Sequence, residues 1–294
     1  MAYPGIDRKT FAIGDSDVSV ALDAGPRILT YASGGTEQLF ADLSGVVIDH
    51  PGVDPYPLIG GHRLWRAPEI PAITYERDDY PVSIHEFDAG IKLIGVPDRD
   101  GVVKSISARA HGDKTIVDHS LRNGGDHPVT TATWAITQLA PGGIGILPQS
   151  SEAADPDGVL PNRSIAVWPY TNISAPEMEF GYSDIRIYAS TTKSKAKIGT
   201  QNVRGWVAYH SGHTLFVKWS PLHDEERTYP DRGSSIECYR DHRFIELETL
   251  GPLVTLEPAD VVDHREVWQM IDIDDLSVDE LLASLPIEPE AMRS

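Results

Sequence analysis

Residues Arg243–Pro258 read RFIELETLGPLVTLEP. Successive side chains of a β-strand point to opposite faces, so this spacing places Ile245 and Leu247 on one face and Glu246 and Glu248 on the other. Burying an unpaired carboxylate is strongly unfavourable, so the acidic face must meet water, a cation or a polar ligand. The stretch therefore predicts a rigid strand that presents two carboxylates, either to a bound molecule or to solvent.

Short segments of alternating polar and apolar residues recur along the chain, and Thr130–Leu139 is the strongest of them. The Leu-Gly-Pro that follows the acidic strand predicts a hairpin into a further strand at Val254–Leu256. Ser277, followed by two acidic residues, predicts the N-cap of a short helix over Val278–Leu285. Many short strands and no fixed-period repeat are typical of a sandwich or barrel. We predict a single all-β domain over residues 1–294, with this helix as a C-terminal appendage.

The composition limits the classes of partner. The chain has 294 residues, 40% of them hydrophobic, and a formal net charge of −19. Nucleic acids and anionic membrane surfaces require a basic footprint, so neither is an expected partner. Cys238 is the only cysteine, which excludes an internal disulfide and a cysteine-based zinc site. The first fifteen residues lack a signal-peptide pattern and no apolar run is long enough for a membrane span, so we expect a cytoplasmic protein of unknown oligomeric state.

The segment Gly60–Trp65 (GGHRLW) is a second distinctive stretch. Its two glycines permit close approach of a backbone or a ligand. His62 and Arg63 supply polar groups, and Trp65 offers an apolar face that suits a sugar ring. The alternative is structural, with the tryptophan in the core and the arginine paired to an acid. Both interpretations remain open from this segment alone.

Further polar and aromatic groups occur on nearby predicted strands. Lys218 alternates with apolar residues, and a lysine in a strand is usually solvated or on an edge. Tyr229, Asp231 and Glu237 lie upstream of the acidic strand. Each residue is weak evidence alone. Together they predict acids, aromatics and one lysine on the same side of successive strands.

The eleven histidines raise the question of a metal site. His210 and His213, with His223 and His242 downstream, form the nearest cluster, but no H-E-x-x-H or comparable close ligand grouping occurs. No metal or cofactor is therefore expected, with a structural metal as the open alternative. The nucleophile elbow of serine hydrolases, the P-loop and the dinucleotide-binding glycine motif are also missing from the sequence.

Six segments, which occur in the same order along the chain, resemble a bacterial branch of the galactose mutarotase-like (aldose 1-epimerase) superfamily. The resemblance runs from about Arg27 to Trp268. The segments are GGHRLWRAPE (Gly60–Glu69), TWAITQLAPGG (Thr133–Gly143), GWVAY (Gly205–Tyr209), FVKW (Phe216–Trp219), YPDRGSSIECY (Tyr229–Tyr239) and FIELETLGPLVTLEP (Phe244–Pro258). The resemblance implies a β-supersandwich of two large curved antiparallel sheets, with a carbohydrate-sized cleft on the concave face.

The resemblance also implies roles for particular residues. Glu248 matches the general base of the family best, in its F-x-x-x-E pattern, and Glu246 is second. Arg63, preceded by His62, matches the arginine that holds sugar hydroxyls. The strand that carries the family's histidine acid has no histidine here, and Trp134 occupies that region.

Three functions remain open at this stage. The first is aldose 1-epimerisation or a related isomerase or lyase reaction, with Glu248 as base and with His62, Lys218 or Tyr229 as substitute acids. The second is carbohydrate binding without catalysis. The third is a cleft re-used for another polar small molecule, in which Lys218 and Arg63 meet a carboxylate.

Overall fold

The computed structural model describes residues 5–36, 38–273 and 277–293. Its strands, in chain order, are β1 Arg8–Ile13, β2 Ser16–Ala21, β3 Arg27–Ser33, β4 Asp42–Ile48, β5 Tyr56–Gly60, β6 His62–Ala67, β7 Ser83–Phe87, β8 Gly90–Ile94, β9 Val102–His111, β10 Lys114–Asn123, β11 Val129–Leu139, β12 Ile144–Pro148, β13 Ile165–Val167, β14 Met178–Phe180, β15 Asp184–Tyr188, β16 Ala196–Thr200, β17 Trp206–Ser211, β18 Thr214–Trp219, β19 Ile236–Arg240, β20 Ile245–Leu250, β21 Val254–Leu256 and β22 Val261–Asp272. The helices are α1 Pro71–Thr74, α2 Pro230–Gly233 and α3 Val278–Ser284, and a 3₁₀ turn covers Glu290–Met292.

Two ten-stranded antiparallel sheets form the body of the fold. The first sheet has the order β1-β2-β3-β6-β11-β20-β19-β16-β13, with β21 also paired to β11. The second has the order β14-β15-β12-β17-β18-β22-β10-β9-β8-β7, and β4 pairs with β5 in a small separate ladder. The prediction of an all-β fold with two large antiparallel sheets is confirmed.

The strand that carries the two glutamates does not end in a hairpin, so that prediction is wrong. β20 pairs with Trp134–Leu139 of β11, and β21 pairs with Val129–Thr131 of the same strand. The two short strands therefore run in one direction along β11, with a register shift of one residue between them. Gly251 continues the ladder through a 3.0 Å hydrogen bond from its amide to the carbonyl of Thr133. The Gly-Pro pair produces a bulge, in which one strand has an extra residue, rather than a reversal of the chain.

The main hydrophobic core lies between the two large sheets. Ile245 and Leu247 of β20 are fully buried in it, as their alternation predicts. An edge-to-face aromatic contact joins the sheets, with the ring centres of Tyr31 and Trp268 5.3 Å apart, and Phe216 packs against Trp268 within the second sheet at 5.7 Å. These contacts fix which face of the first sheet is internal, and Glu246 and Glu248 consequently point to its other face.

The C-terminal helix α3 packs on the outer face of the second sheet, where Leu282 joins an apolar cluster with Trp206 and Trp219. It begins with a capping box, since the Ser277 hydroxyl accepts from the Glu280 amide and the Glu280 carboxylate accepts from the Ser277 amide. The predicted helix is confirmed and ends one residue earlier than expected. None of the helices in the described ranges has the length and apolarity needed to cross a membrane.

Candidate functional site

A cavity of about 490 Å³ opens on the face of the first sheet that points away from the second sheet. We call it the aromatic cavity. Its aromatic lining consists of Trp65, Tyr75, Trp134, Trp168, Tyr170, Tyr239 and Phe244, and its polar lining of Arg63, Glu69, Lys195, Lys197, Arg243 and Glu246. Aromatic walls with a few convergent polar groups are typical of sites for small polar ligands.

Five neighbouring strands, β6, β11, β20, β19 and β16, form the floor of this cavity. Alternation along each strand sends one set of side chains to the same face. The register of strand pairing then aligns these side chains across the sheet. Glu248 lies opposite Glu237 of β19, and Glu246 lies between Gln138 of β11 and Tyr239 of β19. The acids and aromatics of separate sequence segments are brought together in this way.

Glu246 is the acidic group of the cavity floor that lines the opening. Its carboxylate accepts hydrogen bonds from Arg63 Nη2 at 3.2 Å and Gln138 Nε2 at 2.8 Å. The Arg63 guanidinium lies over the Trp65 ring, with its central carbon 3.9 Å from the ring centre. Burial raises the pKa of Glu246 to about 7, against the opposing charge of Arg63 and with support from the Glu248 charge. This carboxyl group can therefore gain or lose a proton near neutral pH.

A second acidic group, which we call the lysine–carboxylate cluster, consists of Lys197, Glu237 and Glu248. The Lys197 ammonium lies 2.6 Å from Glu237 and 2.9 Å from Glu248, and Trp134 Nε1 donates to Glu248 at 2.5 Å. The Lys197 nitrogen also lies 4.7 Å from the ring centres of both Trp134 and Trp168. Burial disfavours the ammonium, but the two carboxylates outweigh that effect and hold the pKa of Lys197 well above its usual value. Burial raises the pKa of Glu237 well above its usual range.

The surroundings of the two predicted glutamates differ. Glu248 is fully buried beneath the cavity floor, where the lysine and the indole cover it, whereas Glu246 contributes to the cavity lining. Asp231 lies beside this region in α2 with a half-buried side chain, and the Lys197 charge acts on its carboxyl group. The predicted residues that the structure brings together are Arg63, Trp65, Trp134, Asp231, Glu237, Glu246 and Glu248.

Comparison with known proteins identifies the architecture. No protein-family model matches the sequence, and no curated protein matches it. Among solved structures, the galactose mutarotase related enzyme from Lactobacillus acidophilus matches with a TM-score of 0.54 at 7% identity, covering 92% of this chain and 99% of that chain. A galactose mutarotase-like protein from Clostridium acetobutylicum gives 0.51 at 9% identity, with 92% and 99% covered. The chain has the galactose mutarotase-like fold.

The same fold also occurs as part of a longer protein. A TPR-domain containing protein from Parabacteroides distasonis gives a TM-score of 0.60 at 11% identity, with 97% of this chain and 50% of that chain covered. At these identities the similarity establishes the mutarotase-like fold, and the activity has to be argued from the residues of the site.

Within the mutarotase-like fold, Lys218 is separated from the aromatic cavity. β18 belongs to the second sheet, and Lys218 points from it into the space between the sheets. Its ammonium lies 2.9 Å from Glu266 and donates to Thr137 Oγ1 at 2.9 Å and to the Leu247 carbonyl at 3.2 Å. Lys218 and Arg63 therefore do not meet one ligand carboxylate. The lysine of the cavity is Lys197, on a different strand.

His62 also points between the sheets. Successive side chains of a strand point to opposite faces, and the next residue, Arg63, points to the aromatic cavity. The Nδ1 atom of His119 faces the carbonyl of His264 at 3.0 Å and must donate to it, so His119 Nε2 accepts from His62 Nε2 at 2.6 Å. His62 Nδ1 then accepts from the Thr137 hydroxyl at 2.8 Å, and that hydroxyl accepts from Lys218. Every donor in this inter-sheet chain has a defined acceptor, and His62 does not reach the cavity.

One group in the described ranges has the composition of a metal site, since ligand atoms of His62, His119 and Glu266 lie within 4.8 Å of one another. Glu266 already accepts from Lys218, Thr249 and Trp268. The two histidines already bond each other, and a divalent ion would lie beside the Lys218 ammonium. These side chains are therefore saturated as a hydrogen-bonded cluster.

Tyr229, like Lys218 and His62, lies apart from the predicted residues that the structure brings together. Its ring stacks on His223 with centres 4.3 Å apart, and its hydroxyl accepts from the Asp224 amide at 3.2 Å. It holds the loop before α2 and does not line the aromatic cavity.

Sequence reasoning missed several residues of the cavity. Lys197 lies in the short strand AKIGT, where Ala196 and Ile198 are core residues and the lysine occupies the alternate face. That alternation was available in the sequence, but nothing local identified its partners. Tyr75, Trp168 and Tyr170 lie in or beside irregular segments, where periodicity gives no face assignment.

Proposed function

We propose that this protein binds an aldose in the aromatic cavity and interconverts its anomers, with Glu246 as the carboxyl group that transfers the proton. The observation that carries the proposal is the position of Glu246: its carboxyl group lines an aromatic-walled cavity and has a pKa of about 7. A proton-transfer group works best when its pKa lies near the working pH.

The lining supports a sugar as the ligand. The partly exposed rings of Trp168 and Tyr239 offer apolar surface to the C–H face of a pyranose, and the polar groups of the lining can bond its hydroxyls. Arg63 uses Nη2 on Glu246, while its Nε and Nη1 atoms have no hydrogen-bond partner within the described chain. A bound hydroxyl oxygen would satisfy such donors after a small side-chain movement.

The proposed reaction is balanced in atoms and protons. Glu246 takes the proton of the anomeric hydroxyl, the bond between C1 and the ring oxygen breaks, and its electron pair remains on that oxygen. The Lys197 ammonium stabilises the negative charge on this oxygen, and the protonated Glu246 then gives its proton to the oxygen, which yields the open-chain aldehyde. Rotation about C1–C2 and the reverse steps close the other anomer and return Glu246 to its starting state.

In this proposal Glu248 acts as a positioning residue. The family resemblance implies it as the base, but its fully buried carboxylate is bonded to Trp134 and Lys197. From there it holds the ammonium of Lys197 at the cavity floor. The base role passes to Glu246, two residues earlier on the same face.

Anomer exchange of fresh α-D-glucose and α-D-galactose, followed by NMR, tests the proposal with wild type, Glu246→Gln and Glu248→Gln side by side. We expect the wild type to accelerate exchange and Glu246→Gln to lose about 10²–10⁴-fold in rate while it retains sugar binding. Wild-type rates in Glu246→Gln would exclude it as the base. A loss confined to Glu248→Gln would return the role to Glu248.

A second candidate function is sugar binding without catalysis. It is favoured by the lining of the aromatic cavity, whose described residues include no histidine. Measurable binding of a sugar by calorimetry, with no acceleration of its anomer exchange, would establish this alternative.

A further inference from the structure

A smaller cavity of about 200 Å³ adjoins the aromatic cavity. Its lining consists of Ala166, Val167, Trp168, Pro169, Asp231 and Arg232. Trp168 lines both cavities, so they adjoin at this indole. The smaller cavity combines an aromatic ring, a carboxylate and a guanidinium, which are the kinds of group that also line the aromatic cavity.

The backbone of the smaller cavity is strained. Asp231 has φ 50° and ψ 50°, and Arg232 has φ 62° and ψ 30°, so two consecutive residues other than glycine adopt the left-handed conformation. Such conformations are costly and persist where the surrounding structure enforces them, often at sites that clamp ligands. Here Ser234 enforces them, through its amide to the Pro230 carbonyl at 3.1 Å and its hydroxyl to the Asp231 carbonyl at 2.9 Å.

The Asp231 carboxyl group also connects the smaller cavity with the lysine–carboxylate cluster. Burial raises its pKa, and the charge of Lys197 opposes that effect. Its neighbour Glu237 is fully buried and lies 2.6 Å from the Lys197 ammonium. Asp231 is therefore the carboxyl group of this pair that lines the smaller cavity, and sugar hydroxyls are suitable donors to it.

We propose that the smaller cavity is a second sugar subsite and that the ligand is a saccharide of at least two rings. This inference rests on the proposed function. The reducing ring occupies the aromatic cavity with its anomeric carbon near Glu246. The next ring packs on the other side of Trp168, donates hydroxyl hydrogen bonds to Asp231 and accepts from Arg232.

The test is calorimetric titration of the full chain with two monosaccharides, glucose and galactose, and three reducing disaccharides, maltose, cellobiose and lactose. Wild type is compared with Asp231→Asn, Arg232→Ala and Trp168→Ala, and with Asp88→Asn as a control at an exposed position outside both cavities. Each variant is first checked for a wild-type circular dichroism spectrum.

We expect at least one disaccharide to bind about tenfold more tightly than either monosaccharide, because a second ring adds an aromatic contact and a charged hydrogen bond. Asp231→Asn and Trp168→Ala should bring the ratio of disaccharide to monosaccharide affinity towards one. Arg232→Ala should also reduce this ratio, and it keeps the test informative if one of the other variants fails to fold. The control should keep the wild-type ratio. If the monosaccharides bind and no disaccharide binds more tightly, the subsite is overturned and the proposed function remains intact. Absence of binding by all five sugars would overturn both.

Discussion

Lys197 is the residue on which the floor of the aromatic cavity depends. The sequence pattern required a cation, water or a ligand in front of Glu246 and Glu248, and the structure places Arg63 and Lys197 there. The requirement was predictable because a carboxylate cannot be buried alone. The identity of the cation was not, since Lys197 and Lys218 both alternate with core residues in short strands. Only the pairing of the strands distinguishes them.

Substitution of Lys197 by methionine should strongly destabilise the protein. The change would leave Glu237 and Glu248 buried without their cation, and breaking a buried ion pair costs about 3–5 kcal/mol. Urea unfolding at pH 7 measures the loss. Lys195→Met, at an exposed position two residues earlier, is the matched control and should stay within about 0.5 kcal/mol of wild type. A loss below about 1 kcal/mol for Lys197→Met would contradict the role assigned to the ammonium.

At the scale of elements, strand alternation and capping were predictable and strand pairing was not. The capping residues of α3 are local, so the helix was predicted to within one residue. Gly251-Pro252 is a turn signal in any sequence, yet here it forms a bulge because β11 is long enough to pair with both β20 and β21. Pairing partners lie more than a hundred residues away, and no local pattern encodes them.

The link between the two sheets through Lys218 gives a second prediction. Lys218→Met should destabilise the fold by about 3–5 kcal/mol, because Glu266 would remain charged and buried. The double variant Lys218→Met, Glu266→Gln should recover part of this loss, since no unpaired charge remains. Denaturant unfolding of the two single variants and the double variant measures the coupling. Additive losses would show that the two residues do not act as a pair.

At the scale of the whole molecule, the arrangement of the sheets determines which polar groups are internal. Three histidines, His62, His119 and His264, are buried between the two sheets, and burial lowers the pKa of each, that of His264 to about 3. The all-β architecture was predictable from the alternating segments. Which faces of the sheets pack together was not predictable. His62 was therefore predicted to bind a ligand, although its side chain is buried between the sheets.

The buried histidines predict acid lability. The unfolded chain binds protons on them below about pH 6.5, whereas the folded chain does not. Each histidine therefore lowers the free energy of unfolding by up to about 1.4 kcal/mol for every pH unit of acidification. The variant His264→Gln should therefore gain stability relative to wild type by about this amount per unit between pH 6 and pH 4. Thermal or urea unfolding across that range measures the slope, with the exposed His127→Gln as control. An unchanged difference between variant and wild type would contradict the neutral state assigned to His264.

The most direct test of the central claim is the pH dependence of anomer exchange, measured by NMR saturation transfer on glucose and galactose. Because Glu246 must be ionised to accept a proton and its pKa is about 7, the rate should rise with pH through a midpoint near 7. The rise should be lost in Glu246→Gln. A wild-type rate that is constant from pH 5 to pH 9, or a midpoint near 7 that persists in Glu246→Gln, would contradict the assignment of Glu246 as the proton-transfer group.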